Sequence, residues 1–280
     1  MPNVLITGAS RGIGRAAAVR MAGAGWDVLA GVRSPADGAA VVAENPARIT
    51  AVELDVTNAE QIAALDDTLP ARLDAVVNNA GIAVGGALEA LPIEELRLQF
   101  EVNVIGQVAV TQVLLPRLRS SRGRIVFVSS VNGLLASPML GAYSASKFAI
   151  EAIGDAFRME LRPWKIRVSI VQPAQIDTDI WRTAPEVLEQ TIGTMGAEHR
   201  ALYARHIEGM RKAIPRSQKM AAPVEDAAKA IERALTVKRP RARYVPNANA
   251  RAGTLLARLP TPVLDRVVAA ASGVPRKVRA

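Results

Sequence analysis

The chain has no cysteine, only two histidines, and aromatic residues at 4% of its 280 positions. The absence of cysteine excludes disulfides, thiolate chemistry and cysteine-ligated metals, and it accords with a reducing compartment. The histidines, His199 and His206, lack HExxH or any similar spacing. They read as partly exposed helical residues, so no metal site and no Ser-His-Asp triad is expected. No apolar run approaches the length of about 20 residues that crosses a bilayer. Met1-Pro2-Asn3 leads directly into an apolar stretch and a glycine turn, a start unlike a signal peptide. A cytoplasmic protein is expected.

Acidic residues are scarce at one end. Residues 233–280 hold eleven Lys or Arg and a single acid, Asp265, whereas the first 232 hold 24 basic and 25 acidic residues. The formal net charge of +9 therefore belongs to the C-terminal part. Residues 251–280 are set apart as a basic segment following a domain over 1–250. Pro260 and Pro262 interrupt any long amphipathic helix there, which favours a solvated tail over contact with an anionic membrane surface or acidic partner. Nucleic acid is not an expected partner, because no aromatic-rich module or basic groove is legible.

Short apolar runs alternate with helical patterns along most of the chain. Strands are expected over 4–7, 27–32, 49–54, 73–77, 124–128, 167–171 and 242–245. Helices are expected over 12–24, 36–44, 59–67, 94–118, 144–161 and 224–235. Such alternation predicts an α/β fold with a doubly wound, Rossmann-like parallel sheet, its crossovers right-handed and both faces covered. Residues 180–222 break the alternation and carry Trp181, Met195, Met210 and Met220. They read as a helical insertion covering the substrate, although Met and Trp also serve as plain packing.

The turn Thr7-Gly8-Ala9-Ser10-Arg11-Gly12-Ile13-Gly14 lies between the first strand and first helix. Glycines there let the backbone approach a pyrophosphate that the helix N-terminus stabilises. An NAD site places an acid about 20 residues beyond, to bind the ribose 2′-hydroxyl. That count from Gly14 reaches Ser34, and Gly31-Val32-Arg33-Ser34 holds no acid. Arg33 and Arg11 instead suit the 2′-phosphate of NADP(H).

Tyr143 and Lys147 stand four apart at the start of a helix and share a face. An ammonium about 4 Å from the phenol could lower its pKa by roughly two to three units, enough for acid–base work. Ser129-Ser130, after a strand, offers a hydroxyl for a carbonyl oxygen.

With these motifs in order, residues 3 to about 178 resemble the single-domain branch of the short-chain dehydrogenase/reductase family. Thr7–Gly14 resembles its cofactor turn, Asp55-Val56 its adenine-contacting pair, and Asn78-Asn79-Ala80-Gly81 the element closing the fourth strand beneath the cofactor. Asn103, Ser130, Tyr143 and Lys147 match its catalytic tetrad. The resemblance implies an NADP(H)-dependent oxidoreductase interconverting a carbonyl and an alcohol. Ser130 would hold the substrate oxygen, Tyr143 pass the proton, Lys147 bind the nicotinamide ribose, and Asn103 hold a water linking the lysine to solvent. It assigns Gly8, Ser10, Arg11, Gly12, Ile13, Gly14, Arg33, Asp55, Val56, Asn79, Ala80, Gly81, Pro173, Ile176 and Thr178 to the cofactor. Pro173-Ala174 departs from the usual Pro-Gly, and alanine takes positive φ only at a cost. A homodimer or homotetramer is also implied, through the helices of Asn103 and Tyr143.

A loose likeness to retinol and hydroxysteroid dehydrogenases, with Asn132, Leu134, Met139, Leu140 and Trp181 near the substrate, points to a bulky apolar ketone or secondary alcohol. The rival readings are a non-enzymatic NADP-binding sensor and an extended-branch epimerase or dehydratase. The first usually lacks the tyrosine or lysine, and the second usually needs a larger C-terminal domain.

Overall fold

The computed structural model describes residues 1–274. Among them, seven parallel strands form one sheet, ordered β3-β2-β1-β4-β5-β6-β7. The first half runs β1 (Asn3–Thr7), α1 (Gly12–Gly23), β2 (Asp27–Val32), α2 (Pro35–Val42), β3 (Ile49–Glu53) and α3 (Ala59–Thr68). After β4 (Ala75–Asn78), α4 (Ile93–Phe100) passes through a π turn, Glu101–Ile105, into α5 (Gly106–Ser121). Then come β5 (Arg124–Val128), α6 (Gly141–Glu160) and β6 (Arg167–Val171). Four helices follow, α7 (Asp179–Arg182), α8 (Ala184–Thr194), α9 (Ala197–Leu202) and α10 (Ala204–Lys219). The chain continues through α11 (Val224–Thr236), β7 (Arg243–Tyr244), α12 (Ala248–Leu256) and α13 (Thr261–Ala271).

The expected doubly wound sheet is present, and its strands show why it was legible. Val4, Ile6, Ala75, Val77, Val126 and Val128 pack on one face, against α1, α2 and α11. Leu5, Val76, Ile125 and Phe127 pack on the other, against α3, α5 and α6. Alternate residues thus enter opposite cores, so each strand reads as a nearly unbroken apolar run. Strand order reverses between β1 and β4, where a crevice opens at the carboxyl ends.

Two expectations change. The helix through residues 93–121 is long and apolar enough, by composition, to cross a membrane. Its apolar side chains Val110, Leu114 and Leu118 are fully buried against the sheet. The boundary at 250 falls inside α12, whose Ala250 is fully buried, so residues 251–274 are no detached tail. Pro260 and Pro262 do interrupt a long helix, as expected: α12 ends at Leu256, and the prolines take the N-cap and second position of α13, where a missing N–H costs nothing. Residues 275–280 of the basic segment lie outside the described residues.

Helix α5 approaches the end of β3 at a glycine. A Cβ on Gly106 would stand 2.2 Å from the Val56 carbonyl oxygen. Gly106→Ala should therefore lower stability by about 1–3 kcal/mol, despite alanine's better helix propensity. A urea midpoint equal to or above the parent's would show that this approach relaxes freely.

Candidate active site

Side chains bind the carboxyl ends of β1 and β4 together. Thr7 Oγ1 accepts the N–H groups of Asn79 and Ala80, each at 3.0 Å. Asn79 Nδ2 donates back to the carbonyls of Thr7 and Gly8 at 3.0 and 3.1 Å. Gly8 and Gly12 have φ of +63° and +54°, and a Cβ on Gly14 would meet the Gly8 oxygen at 2.2 Å. No side chain caps α1, so its first N–H groups are free for an anion. This closely packed floor and open helix terminus fit a dinucleotide pyrophosphate.

The other expected cofactor residues gather around this turn. Ile13 packs into the core, leaving its backbone toward the turn. The Thr178 methyl lies against Gly12, within 3.1 Å of where a Cβ would stand, and exposed Arg11 pairs with Asp179 at 3.6 Å. Pro173 and Ile176 are buried on the same connection, and Ile176 bridges Ala222 beyond the helical insertion. Ser10 is partly buried and Gly81 exposed. Arg33 is exposed and shares an open cleft with Asp55 and residues 57–61. Among the described residues nothing bonds to its guanidinium. Asp55 is held by Thr57, whose N–H and hydroxyl donate to it at 2.9 and 2.7 Å. The Val56 side chain is buried.

Ala174 does not have a positive φ. Its methyl packs with Val131, Leu135 and the C-terminal helices instead. The expected penalty for replacing glycine is therefore absent.

Past β4, a stripe of buried polar side chains holds the chain in place. Gln99, Asn103, Gln107 and Thr111 are each fully buried. Gln99 Oε1 accepts Val84 N–H at 2.7 Å. Asn103 takes Ile82 N–H at 2.8 Å and donates to the Ile82 carbonyl at 3.0 Å. Gln107 donates to the Ala80 carbonyl and Asn78 to Thr111, both at 2.8 Å. Asn103 Nδ2 also reaches Ser146 Oγ at 3.2 Å, and that hydroxyl donates to the Tyr143 carbonyl at 2.7 Å. The Asn103 side chain is thus a clamp between the Ile82 backbone and α6. Only Asn103 of this stripe was recognised from sequence. Polar residues recurring every four positions in an apolar helix are the signal that reveals the others.

Ser130, Tyr143 and Lys147 converge at the end of β5. The Ser130 hydroxyl, which accepts Asn132 N–H at 3.1 Å, stands beside the Tyr143 phenol. Lys147 is buried, donates to the Val128 carbonyl at 2.9 Å, and stands 5.7 Å from the Tyr143 ring centroid. Burial pushes the Tyr143 phenol above its ordinary value, opposed by Ser130. Burial lowers Lys147 to about 8, opposed by the Glu151 carboxylate. The expected lowering of Tyr143 is therefore absent from the unliganded protein, because desolvation disfavours both charged forms.

The expected substrate residues divide. Leu134, Leu140 and Trp181 are partly buried. Met139 is buried with Ala87, Met195 and Ile207 under the insertion, so it packs rather than lines an opening. Asn132 donates to the Ser137 and Ser144 hydroxyls at 3.0 and 3.1 Å, which ties up its amide.

The model of the short chain dehydrogenase family matches residues 2–188. This chain belongs to that family. The NADPH-dependent 3-dehydrocapnine reductase of Ornithobacterium rhinotracheale is 34% identical over 88% of each chain. A short chain dehydrogenase from Burkholderia cenocepacia, solved with NADP, superposes with TM-score 0.75 at 26% identity, covering 95% of this chain and 97% of its own. Another, from Burkholderia phymatum and solved with NAD, gives 0.76 at 25% identity over 91% and 92%. The short-chain dehydrogenase described here is an oxidoreductase that takes a nicotinamide cofactor.

An unfolded lysine titrates near 10.4, whereas Lys147 titrates at about 8. Between those values the unfolded chain binds the extra proton, so stability rises with pH. From pH 8 to 10.5 the unliganded protein should gain on the order of 3 kcal/mol more than Lys147→Met. Parallel curves from urea melts of the two proteins would show that Lys147 is not desolvated.

Proposed function

We propose that this enzyme interconverts a bulky apolar ketone and its secondary alcohol using NADP(H), with Tyr143 as the proton donor or acceptor. The observation that carries the reading is the Ser130–Tyr143 hydroxyl pair beside buried Lys147, at the sheet edge where the glycine turn lies. The bound nicotinamide supplies or accepts the hydride. Ser130 orients the substrate oxygen. In reduction Tyr143 Oη gives it a proton; in oxidation the phenolate takes one back. Lys147, fixed on the Val128 carbonyl, offsets the charge left on the phenolate and holds the nicotinamide ribose. Asn103 braces the site, its side chain joining the Ile82 backbone to Ser146 on the helix of Tyr143.

NADP(H) is supported by the unpaired Arg33 in the cleft it shares with Asp55, and by the absence of an acid after β2. Arg11, already paired with Asp179, is the weaker contributor. The NADPH-dependent relative supports the same choice and the reductive direction. Leu134, Leu140 and Trp181 support an apolar substrate. Exposed Ile105, Phe148 and Met159, on the π turn and α6, support pairing of subunits through those helices.

Tyr143→Phe should bind NADPH like the parent and lose turnover about a hundredfold or more. Substantial remaining activity on the same ketone would place the proton elsewhere. In fluorescence titrations, Arg33→Asp should weaken NADPH at least about tenfold while leaving NADH nearly unchanged. An unaltered NADPH to NADH ratio would remove Arg33 from phosphate recognition.

A further inference from the structure

Helices α12 and α13 form a hairpin with two unlike faces. Inward, Ala250, Leu256, Ala257, Leu264 and Val268 pack on Val131, Leu135 and Ala174. Gly253 sits so close that a Cβ would lie 2.4 Å from a Val131 methyl. Outward stand Leu255, 63% exposed, then Leu259, Val263 and Val267, each at least 37% exposed. Val263 and Val267, four apart, share one face of α13, while Leu255 stands on α12 and Leu259 in the linker between the helices.

Arginines flank these side chains. Arg251, Arg258 and Arg266 are exposed, and among the described residues nothing bonds to their side chains. Asp265 is the one acid between residues 233 and 280, and Arg276, Lys277 and Arg279 follow in sequence. Scattered apolar residues are normal on a protein surface. Four exposed aliphatic side chains on one helix pair, interspersed with arginines uncompensated among the described residues, call for a partner that is hydrocarbon and anionic together.

We propose that this hairpin docks the protein on an anionic lipid surface. Leu255, Leu259, Val263 and Val267 enter the boundary between headgroups and acyl chains, and the three arginines meet lipid phosphates. A second copy of the chain fits less well, because a twofold contact would bring the same arginines against each other. The prolines that argued for a loose tail instead shape the hairpin, since Pro260 and Pro262 open α13. The surface stands whatever the substrate is. It also lies on the structure beside the site, as the inward face packs on Val131, directly after Ser130, and on Ala174, directly after Pro173.

The test is co-sedimentation of the full chain with vesicles of phosphatidylcholine alone or with added phosphatidylserine. Binding to the anionic vesicles should be at least about tenfold tighter and should weaken with salt. The double variant Arg258→Glu/Arg266→Glu should lose at least about tenfold, since each arginine near such a surface contributes about fivefold. Leu255→Ser/Val263→Ser should also bind more weakly. Both variants change only outward side chains, so their melting temperature and NADPH titration should match the parent's. Equal binding to both vesicle types would overturn the proposal, as would anionic binding that neither variant reduces. A dimer in sedimentation velocity that Leu255→Ser/Val263→Ser dissociates would assign this face to a second copy and overturn it too.

Discussion

Backbone that runs on past the end of a strand has no neighbouring strand to bond it, yet residues 79–84 must lie near the crevice in a defined conformation. Here a helix does the work of the missing strand. Gln99, Asn103 and Gln107 bond to Val84, Ile82 and Ala80, and Thr111 takes the amide of Asn78. The geometry is commensurate. Four helical residues rise about 6 Å, and two extended residues advance by nearly the same distance. A spacing of four on an α-helix turns about 400°, so the stripe would drift roughly 40° at every step. The π turn Glu101–Ile105, which winds less per residue, takes part of that drift back. Asn103 lies within this turn and reaches Ser146 on α6. One helix thereby sets both the floor of the cofactor crevice and the helix that carries Tyr143.

Such a stripe has a cost. Asn78 Oδ1 and Gln107 Oε1 are buried without a partner, and each unsatisfied oxygen forgoes hydration. Lys147 adds a buried cation. Its compensation comes partly from Glu151, one turn along α6, which accepts from Gln172 at 3.0 Å and from Arg243 at 3.0 Å. Arg243 also bonds Asp155 at 2.8 Å. The charge beneath the site is thus connected to β7 at the edge of the sheet, far along the chain from the motifs that define the family.

What could be read in the sequence is what depends on short-range pattern. Each parallel strand shows itself as an apolar run because both its faces are buried, and the glycine turn shows itself because Gly8 and Gly12 adopt positive φ while Gly14 has no room for a Cβ. Asn103, Ser130, Tyr143 and Lys147 were legible only as a set, and the fold does bring Ser130, Tyr143 and Lys147 to the end of one strand. Tertiary context decided the rest. Ala174 looked like a defect in a loop, but its methyl belongs to a core that the C-terminal helices complete. Pro260 and Pro262 do break the helix, but nothing local showed that a second one would begin between them. Met139 looked like a pocket wall, and the insertion that buries it lies some fifty residues further along the chain.

The same dependence on context governs the charge state of the site. A tyrosine and a lysine on one helical face invite the reading that the ammonium depresses the phenol. Burial acts on both, however, and it opposes each ion. The two shifts are unequal in their consequence at neutral pH. Lys147, lowered to about 8, is still mostly protonated, while Tyr143, raised above its ordinary value, is wholly so. Burial therefore favours a neutral phenol with a cation nearby, the arrangement that giving up a proton to a carbonyl oxygen requires. The phenolate left behind would face that cation in a buried site, where their attraction is stronger than in water. Oxidation would need the opposite starting state, with the phenol already ionised against the desolvation that now holds it neutral. Burial thus makes the protonated phenol the ground state, and any ionised form has to be stabilised against that desolvation.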